Sequence, residues 1–356
     1  MQRTRRRGIR TTRGDFRLMS ERRKPPNDAA QDGMWKHFGV RTDLALEARE
    51  FVSRITGAEF PGVISETDKT RYTTITRVKV LTEEAERTLG KVRGNYITIE
   101  SPHLRTKSKE IQEELAQVFA REFLRLAPLA PNASVLVAGL GNWQATPDAL
   151  GPRTVEYLTV TRHLHDLVPP ELRGGMRPVC AIAPGVLGLT GIETGEIIRG
   201  VVNNVRPDLV VVVDALASMS TKRLGTTIQM GDTGIRPGSG VGNRRLGITQ
   251  ESLGVPVIAV GVPTVVAAET IAMDAMDFVQ QQAGTPGARL MQNAQAPNPQ
   301  RRQFLRQMLA PYFGSLIVTP KEVDDLVEDL ATVVAGGLNA ALHPAMDWDR
   351  ILEYLS

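Results

Sequence analysis

Two aspartates stand where chemistry could be done. The aliphatic run 209–213 leads straight into Asp214, and a second apolar run, 134–138, leads into GLGNWQATPDALGP, which holds Asp148. In open α/β sheets, ligands bind past the carboxyl ends of the strands, where the strand order reverses. Both carboxylates are therefore predicted to project toward one edge, although 66 residues lie between positions 148 and 214. Carboxyl groups sharing a cleft push their pKa values apart and share a proton. The ionised member can then activate water while the protonated member feeds a leaving amine. The competing reading is that each aspartate simply caps a helix, a common role for Asp.

The loops around these residues are rich in glycine. Gly139, Gly141 and Asn142 open the first loop and permit tight backbone there. A dinucleotide fingerprint is not satisfied: Gln144 stands where the third glycine should be, and the strand PVCAIAPG ends in Pro184 and Gly185 rather than an acid. There is no GxxxxGK[ST], and Gly238-Ser239-Gly240 lacks the strand–turn–helix setting of a nucleophile elbow. Asp232-Thr233-Gly234 reproduces the triplet of pepsin-like aspartic proteases, but those folds need two such loops on an all-β frame. DTGIRPGSGVGN (232–243) is instead expected to shape the cleft, through Asp232, Gly238, Ser239 and Gly240. His163 and His165 are two apart and share no helix face, so no helical metal pair exists. A metal held by Asp148, Asp214 and one histidine is the alternative. Cys180, the single cysteine, sits in VCAIA and is expected to be inert core.

Positioning these loops falls to short apolar runs, SVLVAGLG, PVCAIAPG, PDLVVVVDAL and VPVIAVGVP, with helical stretches predicted over 152–167, 194–205 and 264–281. Such alternation predicts an α/β fold, a doubly wound, mostly parallel sheet with helices on both faces. Upstream, 73–80 and 95–100 alternate as strands around TEEAERTLG, a short helix with a Thr82 cap and a terminal Gly90. This is a small added β region near 71–100. An amphipathic helix is predicted over 107–126, and the stretch 320–342 returns to helix. The stretch 282–302 reads as a mobile loop.

Composition is consistent with this. Hydrophobic residues make up 42% and aromatics only 5%, so Val, Ile, Leu and Ala must build the core, as in a parallel sheet. The net charge of +4 is concentrated in residues 1–30, where ten Lys/Arg face three Asp/Glu. The body is therefore slightly acidic and offers no basic domain surface. Residues 1–33 read as a disordered basic tail, or as untranslated if Met34 is the start. With one cysteine, no apolar run behind the N-terminal arginines and no run approaching ~18 apolar residues, a cytoplasmic protein is expected.

The segments VRTDLALEA (40–48), GLGNWQATPDALGPRTVEYLTVTRHL (139–164), APGVLGLTGIETGEII (183–198), VRPDLVVVVDALAS (205–218), TTIQMGDTGIRPGSGVGN (226–243) and VPVIAVGVPTVV (255–266) resemble the spore germination protease family. So does VTPKEVDDLVEDLATVVAGGLNAALH (318–343). The resemblance implies an atypical aspartic endopeptidase that degrades the small acid-soluble proteins of spore DNA. It implies a zymogen of the forespore that processes itself, assembles as a homotetramer and needs no cofactor. It assigns the catalytic pair to Asp148 and Asp214 and a hydrogenase-maturation-protease-like fold to the chain. Self-processing within VRTDLA places the cut at Asp43–Leu44, after a prosegment over 34–43 and before a single catalytic domain over 44–350. The alternatives are a metal-dependent maturation-type peptidase and a non-catalytic DNA- or spore-protein-binding module led by the basic tail.

Overall fold

The computed structural model describes residues 42–165, 176–236, 247–281 and 316–344. The expectations for 1–33, for most of the prosegment, for Gly238, Ser239 and Gly240, and for 282–302 lie outside the described residues.

Helix α1 (Ala45–Thr56) precedes β1 (Val63–Lys69), β2 (Thr74–Val80), α2 (Glu83–Leu89), β3 (Gly94–Glu100) and α3 (Lys109–Leu126). Thr82 caps α2, its hydroxyl accepting from the Ala85 N–H, and Gly90 ends it in the left-handed conformation. The sequence pattern predicted both ends. Strand β4 (Val135–Gly139) then leads through a 3-10 turn (Thr146–Asp148) into α4 (Leu150–Glu156) and α5 (Arg162–His165). The helix predicted over 152–167 is thus two helices. Between them the β-branched run Thr159–Thr161 departs from helix, and Thr161 N–H donates to Val179 O at 2.9 Å.

The remaining elements are β5 (Val179–Ile182), α6 (Leu187–Thr190), α7 (Thr194–Val205), β6 (Leu209–Ser218), β7 (Thr227–Gly231), α8 (Gln250–Leu253), β8 (Val257–Ala267), α9 (Ala268–Gln281), β9 (Ile317–Val318) and α10 (Val323–Leu342). The helix expected from 264 begins at Ala268. Thr264, Val265 and Val266 extend β8 instead: Thr264 falls at a bulge, Val265 and Val266 pair with β6, and Val266 also pairs with β9.

Among the described residues the strands form one nine-stranded sheet, ordered β1-β2-β3-β7-β8-β6-β4-β5, with β9 added to β8. Strands β5, β4, β6 and β8 are mutually parallel, and the other pairings are antiparallel. The doubly wound expectation is met in the parallel half: the chain leaves β4 for β5 on one side and returns to β6 on the other. The β region near 71–100 is not a separate layer. It continues the same sheet through β7, a strand the sequence reading did not assign.

Alternation along each strand sends side chains to opposite faces. On the first face Val135, Val137, Val211, Val213, Ile228, Met230, Val260 and Val262 pack with Phe119, Phe123, Leu150 and the apolar side of α10. On the second face lie two separate apolar clusters. Leu136, Ala138, Val210 and Val212 meet Ile198 and Val202 of α7, while Val78, Val80 and Tyr96 meet Ala45 and Val52 of α1.

The added strands are locked to α3 by a charge pair. Arg77 of β2 donates from Nε and Nη2 to the two oxygens of the fully buried Glu122, at 2.7 and 2.8 Å. Burial alone would raise the Glu122 pKa, and the Arg77 fork overrides it, holding the carboxyl below its usual range. Glu122→Gln removes the charge and one acceptor from this fork. It should destabilise the protein by ~2 kcal/mol, read as a lower urea midpoint at unchanged slope.

Candidate active site

Strand β4 ends at Gly139, opposite Val213 of β6. Strand β6 does not end there: it runs on to Ser218, paired throughout with β8. Asp214, expected at a strand end, is therefore mid-strand, and the edge it occupies is made by its shorter neighbour. It is the first residue of β6 past β4, at the place where the chain reverses direction across the sheet. Asp214 is only 6% exposed.

Asp148 reaches the same place through a glycine-dependent turn. Leu140 N–H donates to Val213 O at 2.7 Å, and a Cβ on Gly151 would lie 2.6 Å from that same oxygen and 2.2 Å from Leu140 O. Gly151 must lack a side chain for α4 to begin directly over the ends of β4 and β6. Gly139 is constrained likewise, since its Cβ would meet Gly151 O at 2.1 Å. Gly141, at φ +119°, carries the chain past Asp148, where a Cβ would be 1.8 Å from the Asp148 carbonyl oxygen. The Thr264 hydroxyl of β8 donates to Pro147 O at 2.7 Å and ties the turn to the third strand of the site.

Neither aspartate is a helix cap. Asp148 closes the 3-10 turn, α4 is capped by Ala149 without a side-chain bond, and Asp148 Oδ2 accepts from Asn142 N–H at 2.7 Å. Asp214 lies within a strand, its Oδ1 accepting from Ala215 N–H at 3.0 Å. Asn142 in turn accepts from Gln144 N–H through its own side chain, which fixes the loop.

Asp232 is the exception among the predicted cleft residues. It follows β7, whose Gly231 is level with Ala259 and thus with Val212, and β7 runs antiparallel to β8. It therefore heads toward the opposite edge, on the order of 10 Å along the strands from Asp214 at ~3.3 Å per residue. Its carboxylate accepts from the backbone and side-chain N–H groups of Asn95, at 2.8 and 2.6 Å, and anchors the start of β3.

Asp43 and Leu44 lie in an extended segment just before α1. Asp43 N–H donates to Ala217 O at 3.1 Å, and Ala217 N–H donates to Asp43 Oδ2 at 2.9 Å. Leu44 is fully buried. Thr42 donates to the buried carboxylate of Glu47, which also accepts from Ser218 Oγ at 3.0 Å and Met219 N–H at 2.7 Å. Burial raises the Glu47 pKa against the pull of these donors. Sequence reasoning missed Glu47, Thr264 and Gly151, as well as Lys91 and Gln229, whose Nζ and Nε2 donate to Asp43 O at 2.8 and 3.1 Å. The only sequence signal was Gln229 standing as a polar residue between Ile228 and Met230.

A family model described as germination protease matches residues 42–297 and 289–355. The chain belongs to the germination protease family. It is 48% identical over 315 residues to the germination protease of Caldanaerobacter subterraneus subsp. tengcongensis, covering 87% of this chain and 96% of that one. It is 47% identical to that of Clostridium acetobutylicum, over 89% and 99% of the two chains. It is 41% identical to that of Priestia megaterium, over 89% and 97%. Among solved structures, a [NiFe] hydrogenase maturation protease from Thermococcus kodakarensis matches 37% of this chain and 74% of its own. The identity is 22% and the TM-score 0.25, too partial a superposition to carry an argument.

As a member of this family the chain is a peptidase, and the reversal point holds the 6%-exposed carboxyl of Asp214. Among the described residues no three of His, Cys, Asp and Glu gather as metal ligands, and no helix is long and apolar enough to cross a membrane. Cys180 is half-buried on β5 and its thiol pKa is raised by burial, which disfavours the thiolate a nucleophile needs.

Proposed function

We propose that the chain is an aspartic-type endopeptidase in which Asp148 and Asp214 act as a pair on one water. The observation that carries this reading is that both lie where β4 stops and β6 continues, with neither serving as a helix cap. One carboxylate takes a proton from water as it adds to the peptide carbonyl, and the other, protonated, supplies the departing nitrogen. Gly139, Gly141 and Asn142 hold the Asp148 loop against the strand ends.

The substrates are small acid-soluble spore proteins, the work is done in the forespore and spore core without a cofactor, and the chain is a homotetramer that starts as a zymogen. The relatives are named germination proteases, which supports a role at that stage. Self-processing at Asp43–Leu44 is supported by the extended conformation of Leu44, φ −82° and ψ 126°, the shape in which peptides are cut. Full burial of Leu44 favours cleavage within one molecule over attack by another.

The test is to incubate the purified full chain, with and without a chelator, and with a small acid-soluble spore protein. A new N-terminus at Leu44 followed by chelator-insensitive cleavage of the substrate is expected. Loss of cleavage on chelation would transfer the chemistry to the metal-dependent alternative.

A further inference from the structure

The second face of the sheet is apolar at both sides of its middle but not between. Asp214 of β6 and Gln229 of β7 are both in register with Gly261 of β8. Residues aligned in this way project from one face, and two strand spacings separate them by about 10 Å. Gly261 leaves the middle of this row without a side chain, and Leu216 packs into the space it leaves.

The segment over this row is the Asp43–Leu44 peptide. Asp43 is held to β6 at Ala217 and to β7 at Gln229, so it bridges the two strands across β8. Its carbonyl oxygen accepts from Gln229 Nε2 at 3.1 Å and from Lys91 Nζ at 2.8 Å. Lys91 also reaches Thr42 O at 3.3 Å, and Gln229 Oε1 accepts from Ala45 N–H at 2.5 Å. A half-buried carbonyl with an ammonium and an amide donor on its oxygen is more than a helix start requires. It is the arrangement that stabilises charge developing on a carbonyl under attack.

We infer that Lys91 and Gln229 are the oxyanion donors for cleavage of the Asp43–Leu44 bond. The inference rests on the proposed self-processing by the Asp148–Asp214 pair and adds the other half of the chemistry. Water adds to the Asp43 carbonyl carbon and yields its proton to the pair. The C=O electron pair moves to oxygen, where Lys91 and Gln229 hold the negative charge. The charge then returns, the C–N bond breaks, and Leu44 nitrogen takes a proton and leaves as a new amino terminus. Asp43 becomes a C-terminal carboxylate.

The experiment follows the new Leu44 N-terminus by intact mass in full-length chain, under conditions where the unsubstituted chain processes itself. Lys91→Met should slow cleavage by ~100-fold or more, the usual effect of losing one oxyanion donor, and Lys91→Arg should recover most of the loss. Gln229→Glu keeps the acceptor for Ala45 N–H but puts an oxygen where the donor was. Its rate relative to the unsubstituted chain should rise as pH falls toward ~4, where a protonated carboxyl donates again. Cleavage at the unsubstituted rate in Lys91→Met or Gln229→Glu overturns the assignment. So does a slowing that tracks a lowered melting temperature and responds to neither Arg nor low pH, since that is a loss of structure only. Cleavage that persists in Asp148→Asn or Asp214→Asn would remove the acid pair instead, whatever the donor variants do.

Discussion

Asp214→Asn and Asp148→Asn should each lower proteolysis of an added protein substrate by at least ~1000-fold while leaving the melting temperature within a few degrees. General acid–base groups contribute roughly 100- to 10,000-fold apiece, and the two aspartates are proposed to act as a unit, so either loss approaches the loss of both. The amide keeps the local structure. An asparagine at 148 still offers an oxygen to Asn142 N–H, and one at 214 still accepts from Ala215 N–H. At helix N-caps asparagine accepts backbone bonds about as well as aspartate does. The substitution therefore separates catalysis from support: a purely structural aspartate would survive it with activity intact. Initial-rate kinetics beside thermal melts provide the check, and a variant that still cuts near the original rate removes that aspartate from the mechanism.

Gly141→Ala should lose activity by ~100-fold and stability by ~1–3 kcal/mol together. At φ +119° a side chain is strained, and its Cβ would sit 1.8 Å from the Asp148 carbonyl oxygen. That oxygen is backbone, so the turn itself must move, and shifts of about 1 Å at a reacting group cost on the order of 100-fold in rate. The loss should appear in kcat more than in KM, because the displaced group is proposed to act on the water rather than to hold the substrate. Retained kcat would show that the Asp148 turn tolerates displacement and that the carboxylate is not held for chemistry.

Residue order alone predicts the α/β class, the two helix ends at Thr82 and Gly90, the run of α7 over 194–205 and the family, and it offers two aspartates with their glycines as candidates. These are local signals: aliphatic runs of strand length, capping residues at fixed spacing, and an acid abutting each run. Where those acids sit depends on strand pairing between distant segments. No local signal could say that β6 outlasts β4, because strand ends depend on whether a neighbour continues, and β8 does continue beside β6. For the same reason the start of α9 was read four residues early and Asp232 was drawn into the cleft: its glycines are visible in sequence, but the direction of β7 is not. Lys91, Gln229 and Glu47 were invisible because each acts through partners more than forty residues away or by burial, which only packing supplies. Sequence named two acids able to share a water. The unequal lengths of neighbouring strands gave them a common edge and laid the chain's own Asp43–Leu44 peptide across the row that holds one of them.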